Sequence, residues 1–151
     1  MARKRLLLIA SAGGHWIELC RLSRAFEGME ALYVTTFTGA IPPSGSRPVT
    51  VVRDASRSTP VRGILLLAQL MLVVLRFRPH VVITTGAAPG LIAVRLARLF
   101  GARTVWIDSM ANSEELSLSG KLAGDHVDLW LTQWPDLTDK YPGLRYYGSV
   151  L

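Results

Sequence analysis

Three short constellations in this chain carry side chains able to do chemistry. The first is Ser11-Ala12-Gly13-Gly14-His15, placed directly after the apolar run Leu6-Leu7-Leu8-Ile9-Ala10. Where a buried strand turns into a helix, a glycine pair lets the backbone approach an anion closely. The helix N-terminus adds free N–H groups and partial positive charge. A histidine at the edge of such a turn can exchange a proton near neutral pH. A plain tight turn with an exposed histidine fits the same five residues. The second constellation is Thr84-Thr85-Gly86-Ala87-Ala88-Pro89-Gly90. Pro89 suits a first helical turn, and Gly86 and Gly90 let backbone come close either to a ligand or to a neighbouring strand. The third runs from Trp106 to Gly120. Asp108 is expected at the end of a buried strand, with Asn112, Ser113 and Glu114 following in a loop. A carboxylate there is a candidate general base. The competing reading is helix capping by Asn112 or Ser113, with Glu114 and Glu115 in the first turn.

The elements that must position these groups alternate. The pattern predicts strands at 5–10, 31–36, 48–53, 80–85, 103–108, 127–132 and near 144–148. Helices are expected at 15–27, 61–77, 89–100 and near 114–123, and a Pro/Gly/Ser loop at 38–47. Such alternation implies an α/β fold, a Rossmann-like parallel sheet with helices on both faces. Ligands of such sheets sit at the carboxyl ends of the strands, where loops 11–15, 85–90 and 108–115 fall. A chain of 151 residues is expected to form a single domain, 1–151.

Half of the residues are apolar, the formal net charge is +6, and the mean hydropathy is +0.30. Basic and apolar together suggest an anionic membrane surface or phosphorylated ligands. The arginines are scattered, and no zinc spacing, RNA-binding signature or helix-turn-helix pattern appears, which argues against a nucleic-acid partner. Cys20 stands alone, so no internal disulfide is expected. His15, His80 and His126 lie far apart in different contexts, so no metal site is expected, nor any cofactor. Arg3, Lys4 and Arg5 imitate the start of a secretory signal, but the apolar run that follows is short and a first strand explains it better.

The 61–77 segment is unusual. From Ile64 to Leu75 only Gln69 is polar, and Arg53, Arg57, Arg62, Arg76 and Arg78 flank the stretch. The apolar part of the helix spans about 18 Å, short of the roughly 30 Å hydrocarbon core. Two readings stand. The helix is buried on several sides, or its outer face enters a membrane interface through residues such as Leu66 and Leu70, with Arg62 and Arg76 meeting lipid phosphates.

Together, the Ser-Ala-Gly-Gly-His loop, Arg78-Pro79-His80-Val81-Val82-Ile83-Thr84-Thr85-Gly86-Ala87, Trp106-Ile107-Asp108-Ser109 with Glu114-Glu115-Leu116-Ser117, and Leu131-Thr132-Gln133-Trp134-Pro135 carry a resemblance. The chain resembles the Alg-type acceptor-side, membrane-anchoring subunits of the split UDP-GlcNAc transferase. It resembles still more their bacterial exopolysaccharide counterparts of the PssD type. It is more distantly similar to the N-terminal half of MurG-type transferases. The resemblance implies the N-terminal half of a GT-B glycosyltransferase divided between two chains. This half would bind a polyprenyl-diphosphate-linked saccharide. A small donor-binding subunit, recruited by it to the membrane, would bring the UDP-sugar in polysaccharide biosynthesis. The location implied is peripheral, on the cytoplasmic face of the inner membrane. Ser11, Gly13, Gly14, Gly86 and Ala87 would hold the acceptor diphosphate. His15, Asp108 and Glu114 are the catalytic candidates, His15 first and Asp108 second as base. A non-catalytic membrane adaptor for a self-sufficient partner is the alternative. Trp134, Tyr141, Tyr146 and Tyr147 are candidates for the partner contact or, equally, for core.

Overall fold

A computed structural model describes residues 2–43, 48–56 and 58–150. Residues 44–47 of the expected loop, and Arg57, lie outside the described residues. Seven parallel strands form one sheet in the order β3-β2-β1-β4-β5-β6-β7. They are β1 (Arg5–Ala10), β2 (Glu30–Thr35), β3 (Val49–Val51), β4 (Val81–Thr84), β5 (Arg103–Ile107), β6 (Leu129–Thr132) and β7 (Arg145–Tyr146). The helices are α1 (Gly14–Arg21), α2 (Pro60–Phe77), α3 (Ala87–Leu99) and α4 (Leu118–Ala123). All expected strands are present, several of them shorter than the sequence pattern suggests.

The period of two along β1 divides the core. Leu7 and Ile9 pack with Leu66, Leu70 and Val74 of α2 and with Ala93, Val94 and Ala97 of α3. Leu6, Leu8 and Ala10 point the other way, to Trp16 and Leu19 of α1 and to Tyr33 of β2. Both faces of the sheet are thus covered, as a parallel sheet requires. Trp16 meets Tyr33 edge to face, ring centroids 5.8 Å apart.

Two helices differ from expectation. The 15–27 segment is α-helical only to Arg21 and then tightens into a 3-10 turn, Ser23–Phe26. The helix expected near 114–123 begins at Leu118, because its cap is neither Asn112 nor Ser113. Ser117 is the N-cap, and its hydroxyl accepts from the Gly120 N–H. Glu114 and Glu115 therefore lie in the loop before the helix, not in its first turn.

Helix α2 settles the question of its faces. Leu66 and Leu70, expected on a membrane face, are fully buried against the sheet together with Val74. The reason is geometric: positions four apart share a face, and this row faces β1, β2 and β4. The outward row is Val61, Ile64, Leu65, Leu72 and Leu75, all exposed, with Arg62 and Arg76 exposed beside it. The side chain of Gln69, the lone polar group of the apolar stretch, accepts the Arg53 N–H at 2.9 Å. Among the described residues, α2 is long and apolar enough by composition to cross a membrane, yet it is laid as a layer over the sheet.

Candidate functional site

Strand order reverses between β1 and β4: the chain steps to β2 and β3 on one side and to β5 on the other. Ligands of open parallel sheets bind at such a switch point, beyond the carboxyl ends of the strands. The first two constellations meet there. His15, the second residue of α1, is held at Nδ1 by the Thr85 carbonyl, 2.8 Å away. In return the Thr85 hydroxyl donates to the His15 carbonyl at 2.6 Å. A carbonyl only accepts, so Nδ1 is the donor here, and in the neutral ring the lone pair lies on Nε2. No described residue bonds Nε2, and His15 lines a cleft of about 210 Å³ with Ala87, Ser109, Asn112, Ser117 and Ser119.

The glycines here have separate reasons. Gly86 has φ +128°, and a β-carbon on it would come within 2.9 Å of the His15 ring. It is glycine so that the imidazole can lie against the backbone. Gly90 instead seats α3 on the sheet, since a β-carbon there would collide with the Thr84 hydroxyl; of the two readings left open for this glycine, strand packing is the one realised. Ala87 adopts φ +66°, a left-handed conformation that costs an L-residue roughly 1–2 kcal/mol. Two N–H groups of these loops are already engaged. Ala12 donates to the Thr36 hydroxyl at 3.0 Å and Gly86 to the Thr84 hydroxyl at 3.1 Å.

Asp108 lies behind the cleft and is 1 % exposed. Its Oδ1 accepts from the Trp106 indole at 3.0 Å and the Ser117 hydroxyl at 2.7 Å. Its Oδ2 accepts from the Asn112 amide at 2.9 Å and the Ser117 N–H at 3.0 Å. Gly120 is close enough that a β-carbon there would strike this carboxylate. Four donors fold the 108–117 loop around one buried carboxyl group. The expectation that Asp108 faces the cleft as a base is corrected: its lone pairs are engaged and it has no route to solvent. Glu114 is exposed outside the cleft, with its backbone carbonyl accepting from the Lys140 ammonium at 2.9 Å. The structure therefore brings His15, Gly86 and Ala87 together, and holds Asp108 and Glu114 apart from them.

One buried side chain beside the cleft escaped the sequence reading. Glu18, 3 % exposed, accepts from the Ser109 hydroxyl at 3.1 Å and the Met110 N–H at 2.9 Å. It ties α1 to the opposite wall of the cleft. The available signal was its place three residues after His15, beside the buried Leu19. Of the C-terminal aromatics, Trp134 donates to the Met110 carbonyl at 2.7 Å and Tyr141 packs on Trp130. Those two are half-buried, whereas Tyr146 and Tyr147 are exposed.

Comparison with known proteins follows the same lines. The chain aligns with the UDP-N-acetylglucosamine transferase subunit ALG14 of Eremothecium gossypii at 34% identity over 79 residues, covering 48% of this chain and 35% of that protein. The Mus musculus subunit of the same name is 33% identical over 84 residues, 52% of this chain and 39% of its own length. The chain thus spans little more than a third of these relatives. Among solved structures, Acinetobacter baumannii MurG superposes with a TM-score of 0.77 at 13% identity, over 98% of this chain and 46% of that one. UDP-N-acetylglucosamine 2-epimerase from Rickettsia bellii gives 0.74 at 13% identity, over 99% and 46%. These likenesses show a Rossmann-like fold, shared with a little under half of each of those longer chains. The family described as oligosaccharide biosynthesis protein Alg14 like matches residues 44–150, which takes in the second and third constellations and leaves the Gly-Gly-His loop outside. On that match over most of its length, the chain belongs to the Alg14-like family.

Proposed function

We propose that this chain is the acceptor-side half of a two-chain glycosyltransferase, working with a separate donor-binding chain. The observation that carries the proposal is His15, fixed through Nδ1 with Nε2 open at the switch point of the sheet. In the proposed step, a hydroxyl of a polyprenyl-diphosphate-linked saccharide attacks the anomeric carbon of a UDP-sugar. His15 Nε2 takes the hydroxyl proton as the new C–O bond forms. The bond from the anomeric carbon to the UDP oxygen breaks, and its electron pair leaves with UDP, which the partner chain binds. The acceptor diphosphate lies by Ser11, Gly13, Gly14 and Ala87, against the first-turn N–H groups of α1 and α3. With the Gly86 N–H already engaged by Thr84, Gly86 serves the site by admitting the His15 ring.

Attachment to the cytoplasmic face of the membrane falls in this reading to the outward face of α2. Val61, Ile64, Leu65, Leu72 and Leu75 present apolar area, and Arg62 and Arg76 stand ready for lipid phosphates. Replacing Ile64 and Leu72 together by Glu is expected to release the protein from anionic vesicles without unfolding it, because both side chains are already in solvent. Retention on vesicles sinks the assignment.

The test of function is His15→Ala in the complex recovered with its partner from host membranes. Sugar transfer is expected to fall at least 100-fold, with partner and membrane binding intact. If transfer survives, the chain is an adaptor for a self-sufficient partner.

A further inference from the structure

At the opposite end of the sheet from the cleft, the C-termini of α2 and α3 enclose a cavity of about 490 Å³. Its apolar walls are Val74, Leu75, Pro79 and Phe100, and its polar groups are Arg78 and His80. Leu75 is 48% and Phe100 53% exposed, so the cavity opens where the outward apolar row of α2 ends.

Arg78 is the unusual residue. It closes α2 with φ 50° and ψ 62°, the left-handed cap conformation, where glycine is the ordinary choice. A side chain kept there against that preference points to a use for it. Its backbone is pinned on both sides: its N–H donates to the Val74 carbonyl at 2.8 Å, and its carbonyl accepts from Arg5 Nε at 2.9 Å. His80 is oriented as well. Its Nδ1 accepts the Arg5 N–H at 3.0 Å, so the Nε2–H is left as a donor.

The electrostatics favour an anion. The partial negative charge of the two helix ends is reduced where the Arg78 N–H caps the Val74 carbonyl of α2 and the N–H groups of Phe100, Gly101 and Ala102 cap carbonyls of α3, and the side chains outweigh it. Arg5 and Arg76 stand in the adjoining depression with Arg78, against one carboxylate, Glu30. An apolar pocket with an exposed guanidinium and an imidazole N–H donor at its rim suits an amphiphile with an anionic head.

We propose that this cavity binds an anionic phospholipid of the bilayer on which α2 lies, with the phosphate at Arg78 and His80 and acyl chain against Leu75 and Phe100. The inference rests on the membrane reading of α2 and adds a second, headgroup-selective contact, about 27 Å along the helix from its N-terminal end. It predicts a protein that lies along the bilayer rather than standing on one tip.

The experiment is sedimentation of the whole chain with vesicles of phosphatidylcholine alone and with added phosphatidylglycerol. Two variants of equal charge loss are compared: Arg78→Gly, which relieves the left-handed cap and leaves the fold intact, and Arg24→Gln, exposed on the α1 side. Arg78→Gly is expected to lower binding to the phosphatidylglycerol vesicles about fivefold, with little effect of Arg24→Gln. Equal losses from both variants, or no preference of the parent protein for phosphatidylglycerol, overturn the site while leaving α2 as a membrane surface. Displacement of the protein by inorganic phosphate as readily as by dispersed phosphatidylglycerol also overturns it, since a lipid site uses the chain as well as the head. No binding to either vesicle overturns this inference and the membrane reading together.

Discussion

The two walls of the cleft treat their ionisable groups in opposite ways. On one wall His15 has a single ring nitrogen held by Thr85 and the other open to the cleft. On the other, Asp108 accepts four hydrogen bonds and is closed to solvent. Both residues follow strands in the same sheet, and both are residue types that serve as bases. The difference shows that position at a strand's end does not by itself leave a group open to a ligand; coordination decides it. A saturated carboxylate organises its loop, whereas a half-held imidazole leaves one ring nitrogen open to the cleft, as the proposed role of His15 requires.

That contrast can be broken most forcefully at His15, where alanine is expected to cost transfer at least 100-fold while thermal stability hardly moves. At Asp108 the expected result is the reverse. Asp108→Ala strands the Trp106 indole, the Asn112 amide and the Ser117 N–H in a buried site and is expected to destabilise the fold by about 3 kcal/mol. Chemical denaturation reads this directly; a loss of activity with unchanged stability would return Asp108 to the catalytic group. Gly86→Ala tests the support of His15 rather than His15 itself. The added methyl meets the imidazole in a backbone conformation unfavourable for alanine, and transfer is expected to fall roughly tenfold as the ring is displaced. Glu114→Ala gives the smallest effect, within about 0.5 kcal/mol in stability and no change in transfer. A larger effect on transfer would show that the 108–117 loop moves its exposed carboxylate into the cleft when substrate binds.

Much of the fold is legible in the chain because strand and helix periods differ so plainly. The alternation of Leu6 and Leu8 against Leu7 and Ile9 states that β1 is covered on both sides, and the structure has it so. The glycine loops are legible for the same reason, since each interrupts a clear apolar run. What escapes is what depends on distant partners. Asp108 reads identically in sequence whether free or bound, and its strongest donor, Ser117, is nine residues away. Glu18 finds Ser109 across 91 residues, and its spacing from His15 does not reveal that partner. Helix α2 is apolar around most of its circumference, and periodicity cannot tell Leu66 from Leu65. Only the sheet beneath separates them, burying Leu66 and leaving Leu65 exposed.

The paired bonds between His15 and Thr85 have a kinetic meaning. Ring to carbonyl and hydroxyl to carbonyl, they join the start of α1 to the end of β4 at two points. The imidazole is therefore set before any ligand arrives, and in the proposed reaction little ordering entropy of the ring is left to be lost when the acceptor oxygen docks. The other wall is held as well, by Glu18 on Ser109 and Met110, by Trp134 on the Met110 carbonyl and by Asp108 on Asn112 and Ser117. Both jaws of the cleft are set in advance. Relaxation measurements should find residues 13–15, 85–87 and 109–112 alike quiet on the microsecond-to-millisecond scale.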